Sequence, residues 1–420
     1  METSAQGITP PAAVYEIAGR RFEVGARGFA DAVAEAHAAH QRPRCMCLVV
    51  GVEMYVARLG GGYIVKRMPG TGSHHAPDCP SYEPPAEFSG LGQVLGSAII
   101  EDPAAGETTL KLDFPLTKMP GRSTIPPTGS EGDSVSSTGT RLSLRGLLHY
   151  LWDQAELTRW HPGFAGKRTW ATVRRHLLHA AEHKIARGEA LLARLYVPEP
   201  FSIEERDAIN SRRLAQWQSA VPSPGKPQQL MLLICEVKEI VPARYGCKAI
   251  VKHIPDQAFA IDERLYRRLG RRFEAELALW GASDDVHMVM IATFGVCSAG
   301  LPAIHELSLM PVTAQWLPIK NSFEHQLVGQ LVADRRSFIK GIRYHLQGGR
   351  GLATAVLTDS GDAVMPMFIG LAEEGKLPKA EAVANAVGMG AAAAWIWRPG
   401  VGPMPPFPPM QRARSLIRCA

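Results

Sequence analysis

The feature that most restricts the fold of this chain is a group of cysteines and histidines on both sides of a predicted β-hairpin. Strand-like residues 53–58 and 63–67 are joined at Gly60-Gly61-Gly62, a composition typical of a tight turn. The flanking group comprises Cys45, Cys47, His74, His75 and Cys79. Because a hairpin returns the chain to its starting point, we expect side chains at its two ends to converge.

Thiolate and imidazole are donors that zinc prefers, at about 2.3 Å for sulfur and about 2.0–2.1 Å for nitrogen. The predicted ligand set for Zn²⁺ is Cys45, Cys47, His75 and Cys79, with His74 as the alternative imidazole. Four protein ligands leave no open position, so the predicted site is structural and not hydrolytic. The alternative interpretation is a set of free thiols beside two histidines in a solvated loop.

The remaining cysteines and the N-terminus bear on the cellular compartment. The chain has 7 cysteines, an odd and scattered set that argues against a disulfide framework. Residues 1–11 are polar and do not resemble a secretory signal. No apolar stretch approaches the roughly 18 residues that a membrane-spanning helix needs. These features predict a protein of the reducing cytoplasm without a membrane partner, in which Cys235, Cys247 and Cys297 act as buried small hydrophobes.

Residues 141–195 carry most of the positive charge. The formal net charge of the chain, +6, is too small to prove nucleic-acid binding. This segment holds ten Lys or Arg against four Asp or Glu, an excess equal to that of the whole chain. Apolar spacing predicts one helix after Ser143 and another after Thr169. The candidate phosphate contacts to DNA are Lys167, Arg168, Arg174 and Arg175. The alternative is an ordinary solvated helical face.

The sequence predicts a multidomain α+β protein with a zinc-stabilised β-hairpin module, a basic helical module and a mixed α/β C-terminal half. Residues 119–140 form a predicted flexible linker, because 16 of the 22 are Pro, Gly, Ser or Thr. The other predicted units are a β/α segment at 1–44, the zinc-binding hairpin module at 45–118, the basic helical module at 141–220, a mixed α/β domain at 228–320, a nuclease-like unit at 321–398 and a disordered Pro/Arg tail at 399–420. A winged-helix-like arrangement is one option for the basic helical module.

Residues 321–398 have a predicted α-β-β-α-β order that resembles the core of the PD-(D/E)-x-K nucleases. That resemblance implies Glu324 as the helical acid and Asp359 as the central ligand of Mg²⁺. The strand at 364–369 lacks the expected acid and lysine, and the E-x-K sequence at 374–376 falls beyond it. Three interpretations stay open: an active nuclease, a degenerate scaffold, or a helix-cap residue at Glu324 with a turn residue at Asp359.

Several stretches together resemble the bacterial domain-of-unknown-function family 1173, over roughly residues 10–400. They are Cys45-Met46-Cys47, the run from Tyr63 to Gly72, His75 with Cys79-Pro80, Leu144 to Trp152, Trp160-His161-Pro162 and the run from Arg336 to Lys340. The resemblance implies a place on conjugative elements and plasmids but no reaction. The leading hypothesis is a non-enzymatic, nucleic-acid-associated accessory protein of a mobile element. The alternatives are a metal-dependent nuclease and a protein-interaction scaffold of conjugative transfer.

Overall fold

Helices packed against several β-sheets make up the described part of the chain, so the protein is a multidomain α+β protein as predicted. The structure is a computed structural model. It describes residues 13–411 except 60–61, 69, 86–87, 89, 103–105, 120–138, 245, 345–351, 362 and 371–393. In these residues, no helix combines the length and the apolar character that crossing a bilayer requires.

The N-terminal sheet contains the predicted hairpin. Its elements are β1 (Val14–Ile17), β2 (Arg20–Glu23), α1 (Phe29–Ala38), β3 (Arg44–Cys45), β4 (Val52–Leu59) and β5 (Gly62–Arg67). The strands pair in the order β2-β1-β3-β4-β5, and Leu59 faces Gly62 at the hairpin end. Helix α1 covers the sheet through Ala32, Val33 and Ala36, whose spacing places them on one helical face.

The helical module shares its sheets with other parts of the chain. Its region comprises β6 (Ile99–Asp102), β7 (Glu107–Leu110), β8 (Thr117–Lys118), α2 (Leu144–Gln154), β9 (Arg159–Trp160), α3 (Trp170–Ala181), β10 (Lys184–Ala186), β11 (Glu189–Ala190), α4 (Leu191–Arg194), β12 (Leu195–Tyr196) and α5 (Arg206–Trp217). One sheet has the order β11-β10-β7-β6, so residues 99–110 and 184–190 pair across the predicted linker. The domain bounds themselves stay predictions. Ser143 and Thr169 cap α2 and α3 through their hydroxyl groups, as predicted.

A closed barrel follows. It is preceded by β13 (Gln228–Gln229), which pairs with β8 in a separate sheet. The barrel region comprises β14 (Met231–Pro242), β15 (Cys247–Val251), β16 (Ile254–Ile261), α6 (Glu263–Arg272), α7 (Glu274–Ala282), β17 (Val286–Val296) and β18 (Pro302–Thr313). The strands pair in the order β14-β15-β16-β18-β17, and β17 pairs back with β14. Residues 231–237 of β14 are all buried, because one face fills the barrel while Leu232 and Ile234 pack with α2 in a second core.

The C-terminal unit forms a mixed sheet. Its elements are α8 (Ser322–Ala333), β19 (Phe338–Lys340), β20 (Ala355–Leu357), β21 (Met365–Ile369) and β22 (Trp395–Trp397). The order is β22-β21-β20-β19-β9, with β21 and β22 parallel and the other pairs antiparallel. The predicted helix at 379–387 and the E-x-K sequence at 374–376 lie outside the described residues. Residues 120–138 of the predicted linker also lie outside the described residues.

The prediction of a disordered tail is wrong for residues 399–411. The carbonyl of Pro406 accepts a hydrogen bond from the Trp395 indole at 3.2 Å, and the carbonyl of Pro408 accepts one from Arg336 at 2.8 Å. Phe407 packs in the same core as Trp395. Prolines restrict the conformations that a chain loses on folding, so a Pro-rich segment orders readily once buried partners are available. Residues 412–420 lie outside the described residues.

Candidate metal centre

The structure brings Cys45, Cys47, His75 and Cys79 together. One donor atom from each lies within 4.8 Å of the donors of the other three. The Sγ atoms of Cys45 and Cys79 are 3.7 Å apart. Nδ1 of His75 lies 3.4 Å from Sγ of Cys47 and 3.7 Å from Sγ of Cys79. Such a cluster of soft and borderline donors can hold a metal ion.

These distances can be compared with an ideal tetrahedral zinc shell. With zinc bonds of about 2.3 Å to sulfur and about 2.0–2.1 Å to nitrogen, two thiolates are about 3.8 Å apart, and a thiolate and an imidazole nitrogen are about 3.6 Å apart. The sulfur–sulfur distance of 3.7 Å and the sulfur–nitrogen distances of 3.4 and 3.7 Å fall within about 0.2 Å of these values. The donor set is therefore compatible with zinc.

Short backbone segments place the four donors. Cys45 ends β3, between Tyr15 of β1 and Val52 of β4, and Cys47 lies in the turn that follows. His75 and Cys79 lie after the hairpin, beyond a single 3₁₀ turn at Gly72–His74. A Cβ atom at Gly72 would stand 2.6 Å from Cβ of Glu83, so only glycine fits there. The close approach holds the returning segment against the chain that continues beyond the cluster.

Burial disfavours the charged form of these sulfurs, while backbone amide donors partly offset that cost. Cys45, His75 and Cys79 are 1, 3 and 4 % exposed. The amide of Ala76 donates to Sγ of Cys47, and the amide of Ser81 donates to Sγ of Cys79, both at 3.4 Å. Amide donors of this kind stabilise thiolates, which are the forms that bind metal.

The pKa values of the three thiols are shifted in different directions. Hydrogen bonding with Cys45 and then with Cys79 lowers the pKa of Cys47. Hydrogen bonding with Cys47 raises the pKa of Cys45 to about 11, and hydrogen bonding with Cys45 raises the pKa of Cys79. Burial, followed by the charge of Cys45, raises the pKa of Tyr15 to about 12. A divalent ion bound by all three thiolates would therefore release protons from the cluster.

The alternative imidazole is not part of this group. His74 lies in the 3₁₀ turn and is exposed, whereas His75 directs Nδ1 at the sulfurs. Nε2 of His75 is buried and has no hydrogen-bond partner among the described residues. Of the two adjacent histidines, His75 is the one whose ring nitrogen belongs to the cluster. The geometry therefore selects His75.

The four basic residues proposed for phosphate contact have different environments. Lys167 and Arg175 are exposed. Arg174 donates through Nε to the carbonyl of Val197 at 3.0 Å. Arg168 is enclosed: it donates to the carbonyls of Leu157 at 3.0 Å and Gln315 at 3.3 Å, and also to that of Arg159.

The guanidinium of Arg168 also lies over two aromatic rings, 5.4 Å from the ring of Trp160 and 5.2 Å from that of Phe164. Its hydrogen-bond donors are committed to carbonyl groups, so its role is to join the helical module to the loop before α8. The expectation that Arg168 contacts phosphate is corrected on this ground.

The two acids of the nuclease interpretation have different partners. Glu324 accepts from the Lys320 amide and pairs with Nζ of Lys340, each at 3.0 Å. Asp359 accepts three hydrogen bonds from the buried Arg336 side chain and one from the amide of Ser337 at 2.7 Å. Asp359 therefore has an ion-pairing role at the end of β20, which differs from the central metal ligand that the nuclease resemblance implies.

Sequence reasoning missed two charged features. The first is a cleft between α2, β18 and β19, lined in part by Arg145, His149, Glu324 and Lys340. Its residues come from distant parts of the sequence, so no local pattern reveals it. The second is α6, where five of ten residues are arginine. That signal is readable in the sequence as Arg264, Arg267, Arg268, Arg271 and Arg272.

The fold and the site together define a multidomain α+β protein with a buried Cys₃His cluster that can hold a metal ion. A family model described as "Protein of unknown function (DUF1173)" matches residues 15–400. The chain belongs to that family. No curated protein and no solved structure matches the chain.

Proposed function

We propose that this protein is a zinc-stabilised, nucleic-acid-associated accessory protein of a mobile genetic element. The observation that carries the zinc assignment is the convergence of the Cys45, Cys47, His75 and Cys79 donors, with three donor–donor distances close to those of a tetrahedral shell. Four protein donors complete that shell, so zinc orders the N-terminal region and takes no part in a reaction. The thiols must stay reduced to bind it, which favours a cytoplasmic location.

Metal analysis of the purified full chain tests this assignment. We expect about one zinc per chain by elemental mass spectrometry, and a loss of most of it in Cys79→Ala. The matched control is Cys297→Ala, since Cys297 is an exposed free cysteine in the barrel region. Zinc retained in full by Cys79→Ala, or lost equally in Cys297→Ala, would contradict the proposed ligand set.

The nucleic-acid part of the proposal draws support from exposed positive charge. Lys167 is exposed in the segment before α3, Arg175 is exposed within α3, and α6 adds further exposed arginines. Affinity of this origin falls with salt, by a log–log slope of about −0.9 for each phosphate contacted on duplex DNA. A filter-binding series at increasing salt measures the slope. Salt-insensitive binding, or no binding at low salt, would remove this part of the proposal.

The family resemblance supplies the proposed context of conjugative elements and their partner proteins. A protein-interaction scaffold of the transfer machinery is the alternative that uses the same context without nucleic acid. Capture of transfer proteins by tagged full chain, before and after nuclease treatment, distinguishes the two. Capture that survives nuclease treatment favours the scaffold, while capture that disappears favours association through nucleic acid.

A metal-dependent nuclease is the second candidate function. The observation that favours it is the Glu324–Lys340 pair, which puts an acid and a lysine at one cleft. Incubation of plasmid with the full chain and Mg²⁺ or Mn²⁺ tests it, with Glu324→Gln and Asp359→Ala as variants. Cleavage that disappears in Glu324→Gln would favour the nuclease. No cleavage with either metal would leave the accessory role.

A further inference from the structure

The barrel has an unusual connectivity that identifies its type. Along the chain the strands run β14, β15, β16, then α6 and α7, then β17 and β18. In space they close in the order β14-β15-β16-β18-β17. β16 and β18 are parallel, and every other neighbouring pair in the ring is antiparallel. A five-stranded Greek-key barrel with a helical connection between its third and fourth strands has the OB-fold connectivity.

The first barrel strand is shared between the two halves of the barrel, as closure requires. Residues 231–237 of β14 pair with β17, and residues 237–242 pair with β15. The register shifts between Val237 and Glu239, and such an irregularity bends a strand. The apolar side chains Met231, Leu233 and Cys235 face the barrel core throughout the first half. The pairing thus supports a closed barrel and not an open sheet.

Three chain segments converge at one end of this barrel. Ile261, the last residue of β16, pairs with Cys247 at the start of β15 and with Ile304 near the start of β18. The loop before β15, the loop before β18 and the start of α6 therefore meet there. A Cβ atom at Gly246 would stand 2.3 Å from the carbonyl oxygen of Ile261, so this glycine lets the first loop lie against the start of α6. In OB-folds, these loops and the second and third strands form the oligonucleotide-binding face.

The same end carries concentrated positive charge. Arg264, Arg267, Arg268 and Arg271 are exposed, and their spacing of three and four residues places them on one stripe of α6. The opposite stripe, Leu265 and Leu269, packs into the barrel core. Glu263 pairs with Arg267 at 2.5 Å, and the half-buried Glu306 lies near Arg268. Even with both acids counted, the stripe keeps an excess of positive charge.

Two further exposed residues complete this surface. Lys248 of β15 is exposed and pairs with Ala260 of β16, beside the start of α6. Leu301, in the loop before β18, is 57 % exposed. We call the surface formed by Lys248, Leu301 and the four exposed arginines of α6 the basic barrel end. A positively charged groove that follows a backbone, with apolar contacts for bases, is the arrangement that single strands require.

We propose that the basic barrel end binds single-stranded nucleic acid, with phosphates along the arginine stripe of α6 and the strand crossing β15 and β16. This inference deepens the proposed association with nucleic acid and rests on it. It places the main contact on the barrel and not on the helical module at Lys167 and Arg175. Fold connectivity alone does not define function, so the charge at this end is the independent observation that supports the assignment.

Fluorescence anisotropy with the full chain tests the proposal. The probes are a labelled oligothymidylate of about 20 nucleotides, long enough for one OB-fold site, and a duplex of the same length. We expect tighter binding of the single strand. Removal of two phosphate contacts in Arg264→Ala/Arg271→Ala should weaken that binding roughly tenfold and reduce the log–log salt slope by about 1.4, since a single strand contributes about 0.7 for each contact.

The matched control removes two exposed charges from the N-terminal region, in Arg21→Ala/Arg27→Ala, and should change single-strand affinity by less than about twofold. Lys248→Ala, a single exposed substitution, gives a second variant on the basic barrel end and should weaken binding in the same direction. Zinc content and thermal melting of each variant report whether it is folded.

The outcomes separate this inference from the proposed function. If the control variant loses affinity while Arg264→Ala/Arg271→Ala does not, the barrel assignment is overturned and association with nucleic acid stands. Equal or tighter binding of the duplex likewise overturns the single-strand assignment alone. If the full chain binds neither probe at low salt, both proposals fall.

Discussion

The β-strands of the Cys/His region and those of the barrel differ in how deeply their side chains are buried. In the hairpin strand β5, no described side chain is fully buried. In β17, all residues but one are buried. The N-terminal core is completed from outside, by Val356 and Phe368 of the C-terminal sheet. The barrel instead encloses its own continuous core.

This difference indicates where each region obtains its stability. A small sheet that buries few side chains gains little from the hydrophobic effect, and such regions commonly depend on a metal or a disulfide. The Cys₃His cluster lies in the region with the weaker core. The barrel carries buried cysteines that have no such role: Cys235 and Cys247 are buried as predicted, whereas Cys297 is exposed, contrary to the prediction.

Removal of the metal should give the largest effect and should act on one region only. Chelation of the full chain, or Cys79→Ala, is expected to remove on the order of 10 kcal/mol of local folding free energy. Hydrogen exchange read by mass spectrometry should then show loss of protection in peptides from β1 to β5.

Peptides from β14 and β17 serve as the internal control and should keep their protection. A uniform loss of protection in both regions would break the comparison, because it would mean that the metal supports the barrel as well. Unchanged protection in β1 to β5 would mean that the N-terminal sheet is stable without a metal.

A substitution that creates a cavity in the barrel should destabilise the barrel and leave the metal site unchanged. Phe294 is fully buried, with its ring centroid 5.1 Å from that of Trp217 and 5.5 Å from that of Phe259. Phe294→Ala is expected to cost about 3–5 kcal/mol of unfolding free energy, and Phe294→Leu clearly less. Urea unfolding measures the cost, and elemental analysis should find the zinc content unchanged. A fall in zinc content in Phe294→Ala would show that the two regions are coupled.

The cap of α6 should have a smaller effect. The Asp262 carboxylate accepts a hydrogen bond from the amide of Leu265 at 2.7 Å. Asp262→Ala is expected to cost about 1 kcal/mol, and Asp262→Asn much less, because asparagine caps helices almost as well. Urea midpoints of the two variants measure the difference. Equal midpoints would mean that packing of Leu265 and Leu269 alone fixes the start of α6.

The sequence is most informative where the geometry is local. The four donors lie within 35 residues and on both sides of one hairpin, so turn chemistry alone brings them together. For the imidazole, the sequence favours His75 and leaves His74 as the alternative, and the structure places His75 in the cluster. The caps at Ser143, Thr169 and Asp262 are equally local.

Where distant segments meet, sequence patterns indicate much less. The strand β16 opens with Ile254-Pro255-Asp256 and has no clear alternation of polar and apolar residues, so it was not predicted, and the barrel was missed with it. Charge counting cannot distinguish the enclosed Arg168 from the exposed Arg175, because the carbonyl of Gln315 that binds Arg168 is 147 residues away. Likewise, the Arg336 side chain pairs with Asp359 and donates a hydrogen bond to the carbonyl of Pro408 in the tail.

Acid should also destabilise the barrel, through a histidine. Burial and then the charge of Lys118 lower the pKa of His305 to about 4, while the charge of Asp262 acts in the opposite direction. The unfolded chain has the ordinary pKa near 6.5, so between about 6.5 and 4 it binds more protons than the folded chain. Stability from this group is thus complete above pH 6.5 and decreases as the pH falls.

Replacement of this histidine separates its contribution from that of the metal cluster, whose thiolates also take up protons in acid. His305→Gln should flatten the pH dependence of the urea midpoint between about 6.5 and 4, with little change in slope above pH 6.5. Tryptophan fluorescence follows unfolding, and zinc content is measured at each pH. If the two midpoint curves run parallel at equal zinc content, His305 does not titrate differently in the folded barrel, and the acid response belongs to other groups.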